Sequence, residues 1–507
     1  MNRSYRHVWN KKQGRYVVAS EIAKGHSGGF GALSKIVLAV LGAYASFVAA
    51  QVANNALPVN PNVVSGAASI TQNANKLTIN QTSDKLITNW GSFNIGKDAS
   101  VQFVQPNANS AALNRVNGSD PTYIYGSLSA NGKVILINQN GVMFSNGARV
   151  DASNLMASTL NMTDANFLND KFVFEKDGVA GLISNAGELR AYSGGTVALI
   201  APQITNTGNI TADAGSVALL AGEKVTLTLS GNRLIKYSID QGTLNALVDN
   251  GGAIRAAEGL VILSAKALDT ISKSVVNNAG VIEARGISRV GGRIILDADG
   301  GVATSNGLID VSSDVAQGGQ VQVTGQEVAI KAGARILATG PTGGGTVLMG
   351  GSWQNSDSAV PQATATTIEA GATIDASATQ NGDGGTVVAW STVSNPISVT
   401  NVSGTLLANS GVDGGNGGRI ETSGHLLQIG DSICVSAKSF NGGRSGEWLL
   451  DPYNINITAT GSGDTYAANK TYGQDSNIAV GSITTSLNAG TSVRIATGSS
   501  AYAAYTA

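Results

Sequence analysis

Gly291-Gly292-Arg293-Ile294-Ile295-Leu296 returns 27 residues later as Gly318-Gly319-Gln320-Val321-Gln322-Val323, and this pair of stretches decides the fold. Each is a glycine pair followed by alternating apolar residues, the pattern of a short strand with one face turned inward. Further copies are Gly194-Gly195-Thr196-Val197-Ala198-Leu199, Gly344-Gly345-Thr346-Val347-Leu348-Met349 and Gly384-Gly385-Thr386-Val387-Val388-Ala389. Weaker ones stand at Ala214-Gly215-Ser216-Val217-Ala218-Leu219 and Gly417-Gly418-Arg419-Ile420-Glu421-Thr422. A second half-unit, Ile-x-Ala or close to it, recurs at Ile210, Ile282, Ile309, Ile336, Ile374 and Leu406. From 282 to 309 and from 309 to 336 the step is 27 residues, then 38 to 374 and 32 to 406.

Short strands recurring at this period describe a solenoid, in which each coil buries its inward face only against its neighbours. Glycine and Asn/Asp between the strands supply the tight corners. The expected fold is therefore all-β, a right-handed parallel β-helix with coils rising about 4.8 Å each. Val321 should point inward, and Gln322 outward onto a face that tolerates charge. The longer step after Ile336, which includes Trp353, reads as a loop leaving the wall. A β-propeller needs four strands per blade, more than 27 residues hold. Stacked β-sandwiches would space their strands evenly, without the Gly-Gly register.

Composition narrows the function classes. Glycine numbers 65 in 507 residues while proline numbers 9 and charged residues make up 13%, so neither collagen nor a charged disordered tail fits. One cysteine, Cys434, precludes a disulfide within the chain. A net charge of -1 offers no global attraction to nucleic acid.

Residues 60–175 carry larger apolar side chains and Asn-rich punctuation. An open β-helix end exposes unpaired backbone and apolar side chains, so this block is the natural N-terminal β cap. Its motifs include Trp90-Gly91-Ser92-Phe93-Asn94-Ile95-Gly96, Val101-Gln102-Phe103, Asn114-Arg115-Val116, Gly126-Ser127-Leu128-Ser129-Ala130-Asn131-Gly132, Asn138-Gln139-Asn140-Gly141-Val142-Met143-Phe144 and Ala157-Ser158-Thr159-Leu160. Together they resemble the secretion domain of two-partner secretion exoproteins, the family of the filamentous haemagglutinins and high-molecular-weight adhesins. Trp448-Leu449-Leu450-Asp451-Pro452 resembles a segment recurrent in such adhesins. The chain departs from the family at one turn, where Asn-Pro-Asn-Gly is common and Asn138-Gln139-Asn140-Gly141 stands here.

The N-terminus adds a basic, aromatic-bearing leader with Arg3, Arg6, Lys11, Lys12, Arg15 and Lys24, then a glycine joint and an apolar run from Ile36 to Phe47. Read as a signal peptide, it lies outside any fold and is cut after Ala50, with Ala45 or Ala53 as alternatives. The run is short of the roughly 20 apolar residues a membrane span needs. The front piece resembles the extended signal peptide region of large Gram-negative exported proteins, which implies passage across the inner membrane to the cell exterior.

Three segments are expected: an extended signal peptide at 1–50, a secretion domain with its cap at 51–300, and further β-helix at 301–507 that continues beyond the end of the chain. The resemblance implies export by an outer-membrane two-partner transporter with periplasmic modules, with Asn138, Gln139, Asn140 and Gly141 as turn and recognition motif. It further implies an adhesin whose partner is a host-cell or bacterial surface receptor, glycan or protein. Haem or haemopexin capture is the alternative, and the stalk of a contact-dependent toxin a third reading.

No enzyme chemistry is expected, and no cofactor or metal. After removal of the leader His425 is the one histidine, which with Cys434 gives neither a zinc set nor a triad. Asp297 with Asp299, and Asp310 with Asp314, read as solvated corners rather than a glycosidase pair. Gly411–Gly418 is a single Gly/Asp stretch where a calcium repeat needs several.

Overall fold

The computed structural model describes residues 5–10, 15–20, 52–269, 271–459 and 475–497. Two compact units divide between Val52 and Ala53. In the first, Tyr5–Asn10 pairs antiparallel with Arg15–Ser20, so part of the leader forms a hairpin although no fold was expected there.

The second unit is a parallel β-helix. The inward residues of one wall stack in register as Ile210, Ile254, Ile282, Ile309, Ile336, Ile374, Leu406 and Val435. From Ile210 to Leu406 each is fully buried. Ile254 and Val435 are further rungs of the same ladder, beyond the copies evident in the sequence. A second wall adds Val217, Val261, Ile294, Val321, Val347, Val387 and Ile420 to the same core. Val321 is thus inward as expected.

From Gly291-Gly292 onward the glycine pairs mark the register because both members are sterically required, whereas at Gly194 a Cβ would meet nothing within 4 Å and the φ of +79° is what favours glycine. A Cβ on Gly319 would stand 2.1 Å from the carbonyl oxygen of Gly292 in the preceding coil, and one on Gly318 would stand 2.0 Å from that of Ala338 in the next. The backward contact repeats along a ladder of Gly195, Gly215, Gly259, Gly292, Gly319, Gly345, Gly385, Gly418 and Gly446, each against the glycine before it from Gly215 on. The weak copies at 215 and 418 are therefore full rungs. A second ladder is polar. The buried amides of Asn185, Asn206, Asn250 and Asn278 pass hydrogen bonds upward at 2.7, 2.7 and 2.8 Å, ending on Ser305 Oγ at 3.3 Å. Each rung satisfies a donor and an acceptor that burial would otherwise leave costly.

The cap is narrower than the 60–175 block. Asn62–Ser65 runs antiparallel to Lys85–Trp90, and Ala68–Asn73 antiparallel to Lys76–Gln81. Parallel coils begin at once after them, with Lys85–Trp90 on Ala111–Val116 and Lys76–Gln81 on Ser100–Val104. The larger side chains, Trp90, Phe93, Phe103 and Phe144, fill these first coils.

Where the structure departs most from expectation is the outer face of one wall, which is covered rather than solvated. A three-stranded antiparallel sheet of Phe172–Glu175, Lys224–Ser230 and Arg233–Gln241 lays Phe172, Phe174, Val225 and Leu227 over Ile135, Met156, Ile200 and Leu220. Gln322, although outward, lies in register between Ile295 and Leu348, is 7% exposed and accepts a hydrogen bond from Arg293 at 3.1 Å. A charge there would not be freely solvated. The insertion after Ile336 does form a loop, but residues 350–364 fold back instead of leaving the wall. Trp353 and Val360 pack with Leu348, Val388, Trp390 and Val393.

Candidate functional site

Asn138-Gln139-Asn140-Gly141 joins Lys133–Ile137 to Val142–Phe144 as a β-turn, closed by the Gly141 N–H donating to the Asn138 carbonyl at 3.1 Å. Gly141 takes a φ of +129°, a conformation that disfavours any side chain. The Asn138 side chain is fully buried and does three jobs. Its Oδ1 accepts the Asn140 N–H at 2.9 Å, and its Nδ2 donates to the Asp120 carbonyl and to Thr122 Oγ1, both at 3.0 Å. Asn140 Nδ2 reaches the Gly118 carbonyl at 2.9 Å. From the coil above, the Gly181 N–H donates to the Gln139 carbonyl at 2.7 Å.

The turn is therefore a clasp between three coils, and only Gln139 and Asn140 are half-exposed. Gln139 holds the second turn position, where Pro is favoured because its φ is preset.

Other motif residues are also tied to neighbouring segments. Trp90 donates its indole N–H to Asn114 Oδ1 at 3.0 Å, both buried, and packs edge-on to Phe93 at 5.3 Å. Arg115 reaches across to the Met162 carbonyl and pairs with Asp164, each at 2.6 Å. The Trp90–Asn114 bond was not foreseen, since its two ends lie 24 residues apart.

Ala50 lies outside the described residues. The carboxylate pairs do not converge on a site. Asp297 is held by Thr324 at 2.7 Å and Ser264 at 3.4 Å, and burial pushes its carboxyl up. It is a wall residue and no solvated corner, while Asp299 pairs with Lys266 at 3.5 Å. Arg285 bridges Asp310 and Asp314. His425 Nδ1 lies 2.9 Å from the Val393 carbonyl, and its ring stacks on Tyr453 at 4.6 Å. Gly411–Gly418 is a corner loop in which Asp383 accepts two bonds from Asn416. Among the described residues no group of three His, Cys, Asp or Glu could hold a metal ion, and no helix is long and apolar enough to cross a membrane.

Residues 50–311 match the TPS secretion domain, and residues 1–50 match the Extended Signal Peptide of Type V secretion system. The chain belongs to the two-partner secretion exoprotein family. The secretion domain of HMW1 from Haemophilus influenzae superposes with a TM-score of 0.68 at 32% identity, covering 78% of this chain and all of that one. Two curated relatives, both heme/hemopexin-binding proteins of Haemophilus influenzae, are 34% identical over 252 residues and 31% over 250. The matches take in 48% and 45% of this chain and span about a quarter of the length of these two relatives, 27% and 26%. It is exported through the inner membrane and secreted across the outer membrane.

Proposed function

We propose that residues 51–300 are the segment the transporter's periplasmic modules engage, and that the Asn138–Gly141 clasp acts in export by letting the first coils close. The observation that carries this reading is the three-coil clasp inside the matched secretion domain. Folding outside the cell biases the chain outward, because each added coil buries one more interior layer. Among the described residues the Asn62–Ser65 and Ala68–Asn73 strands each pair along one edge, and the other edge is one on which an extended or strand-like partner can pair.

At the cell exterior the exoprotein presents a ligand-binding region. Haem or haemopexin capture is favoured by the names of the two curated relatives; adhesion to a glycan or protein receptor is the second reading, supported by the resemblance to the haemagglutinins and by the HMW1 likeness. Expression of the complete encoded protein with and without its transporter tests the export role, and equal secretion in both cases overturns it. Retention of the secreted protein on haemin or haemopexin resin, set against adherence to host cells, separates the two ligand readings.

A further inference from the structure

We propose that residues 350–364 are a pH-operated strap on the outer wall, closed over the buried Glu421 carboxyl while it is protonated and released when it ionises and draws water. Arg419–Gly424 alternates, so Ile420 enters the core and Glu421 points out beneath the strap. Register places apolar Val388 and Leu449 on either side of it, and it is fully buried. Its contact with the strap is specific: Oε2 accepts the Gln354 N–H at 2.7 Å, while Oε1 accepts the Ser423 hydroxyl at 2.8 Å.

The strap is sprung as well as held. Gln354 and Asn355 both sit in the left-handed region, at φ of 47° and 53°, which disfavours residues with side chains. Trp353 lies under the Arg419 guanidinium at 4.6 Å, and Ser352 Oγ accepts the Asp357 N–H at 3.0 Å.

Every charged group around the lock can be named. Asp451, 3% exposed on the next strand, opposes ionisation of Glu421; Arg494, one strand further, favours it but is already paired with Glu447. Arg419 is engaged with Trp353, and Asp357 on the strap is exposed. Burial outweighs the hydrogen bonds from Gln354 and Ser423, which favour the charged form, and the Glu421 carboxyl is pushed up to about 8.

Because the closed state raises this value, its stabilisation is fully present below the ordinary carboxylate range and is lost as pH rises through about 8. Opening therefore grows by up to ~tenfold per pH unit within that window and levels off above it. A chain in transit, unfolded at neutral pH, carries this carboxyl ionised, so laying down the coil takes up a proton.

Hydrogen exchange of the secreted protein between pH 6 and 9, corrected for the intrinsic rate, tests the proposal in a peptide covering 350–364, with 318–330 as the fold reference. The wild-type strap should open progressively to pH 8 and then plateau. Glu421→Gln should flatten the profile while 318–330 stays protected. Asp451→Asn should move the midpoint to lower pH, and Gln354→Gly, which relieves the left-handed strain, should reduce opening at every pH without changing the slope. A wild-type profile without pH dependence, or a Glu421→Gln profile of wild-type slope, overturns the proposal. Loss of protection at 318–330 in Glu421→Gln overturns it too, because the residue would then be holding the wall and not the strap.

Discussion

A methyl group added at Gly319 has nowhere to go, whereas one added at Gly333 does. Gly319→Ala sets a Cβ against the Gly292 carbonyl, and neither backbone can move without disturbing its own coil. We expect a loss of about 2 kcal/mol or more, read from the urea midpoint. Gly333 has a φ of +84° with nothing within 4 Å of a Cβ, so Gly333→Ala should cost only the left-handed penalty of about 1 kcal/mol. Asn250→Ala would strip the Asn206 amide of its acceptor and Asn278 of its donor in a dry interior, for about 2–3 kcal/mol. The glycine pairs were legible as punctuation, but their two-sided clash was not, since the opposing carbonyls belong to other coils. The asparagine ladder left a trace that could have been followed: Asn185-Ala186-Gly187, Asn206-Thr207-Gly208, Asn250-Gly251-Gly252 and Asn278-Ala279-Gly280 share one spacing.

Strands were the easy elements to read, because a period of two needs only the strand itself. Covers were hard. The sheet that hides Ile135, Met156 and Ile200 is assembled from insertions at 172–175 and 224–241, and which wall they roof is a matter of long-range packing. Gln322 looked solvent-facing for the same reason: alternation gives the direction of a side chain and says nothing of what lies beyond it. The clasp at 138–141 was recognisable as a turn, while its bonds to 118–122 and 181 were not. Phe174→Ala, in the roof, should cost about 3–4 kcal/mol and raise binding of a hydrophobic dye, because it opens a cavity over an apolar wall. Asn138→Ala should loosen the turn and lower the amount released to the medium, while Gln139→Pro should be secreted at least as well as wild type, as its position accepts Pro.

On the scale of the whole molecule, the core is a single stack, so a fault in one coil interrupts contacts on both sides of it. Val321→Asp places an unpaired charge between Ile294 and Val347, and should cost on the order of 3–5 kcal/mol by denaturant titration. The step between coils also bears on how the molecule answers to force. Backbone hydrogen bonds join each coil to the next along the helix axis, so a pull on one end of the chain peels the outermost rung, where the load falls on a few bonds at a time, before the rungs behind it, which share the load over whole coils. Resistance would then be set by the weakest exposed coil and not by the length of the shaft. Extension should advance in small teeth, each paying out one turn of chain, about 90 Å for a 27-residue coil. A shaft built in this way yields by unreeling from its tip, and it can rewind one turn at a time once the load is gone.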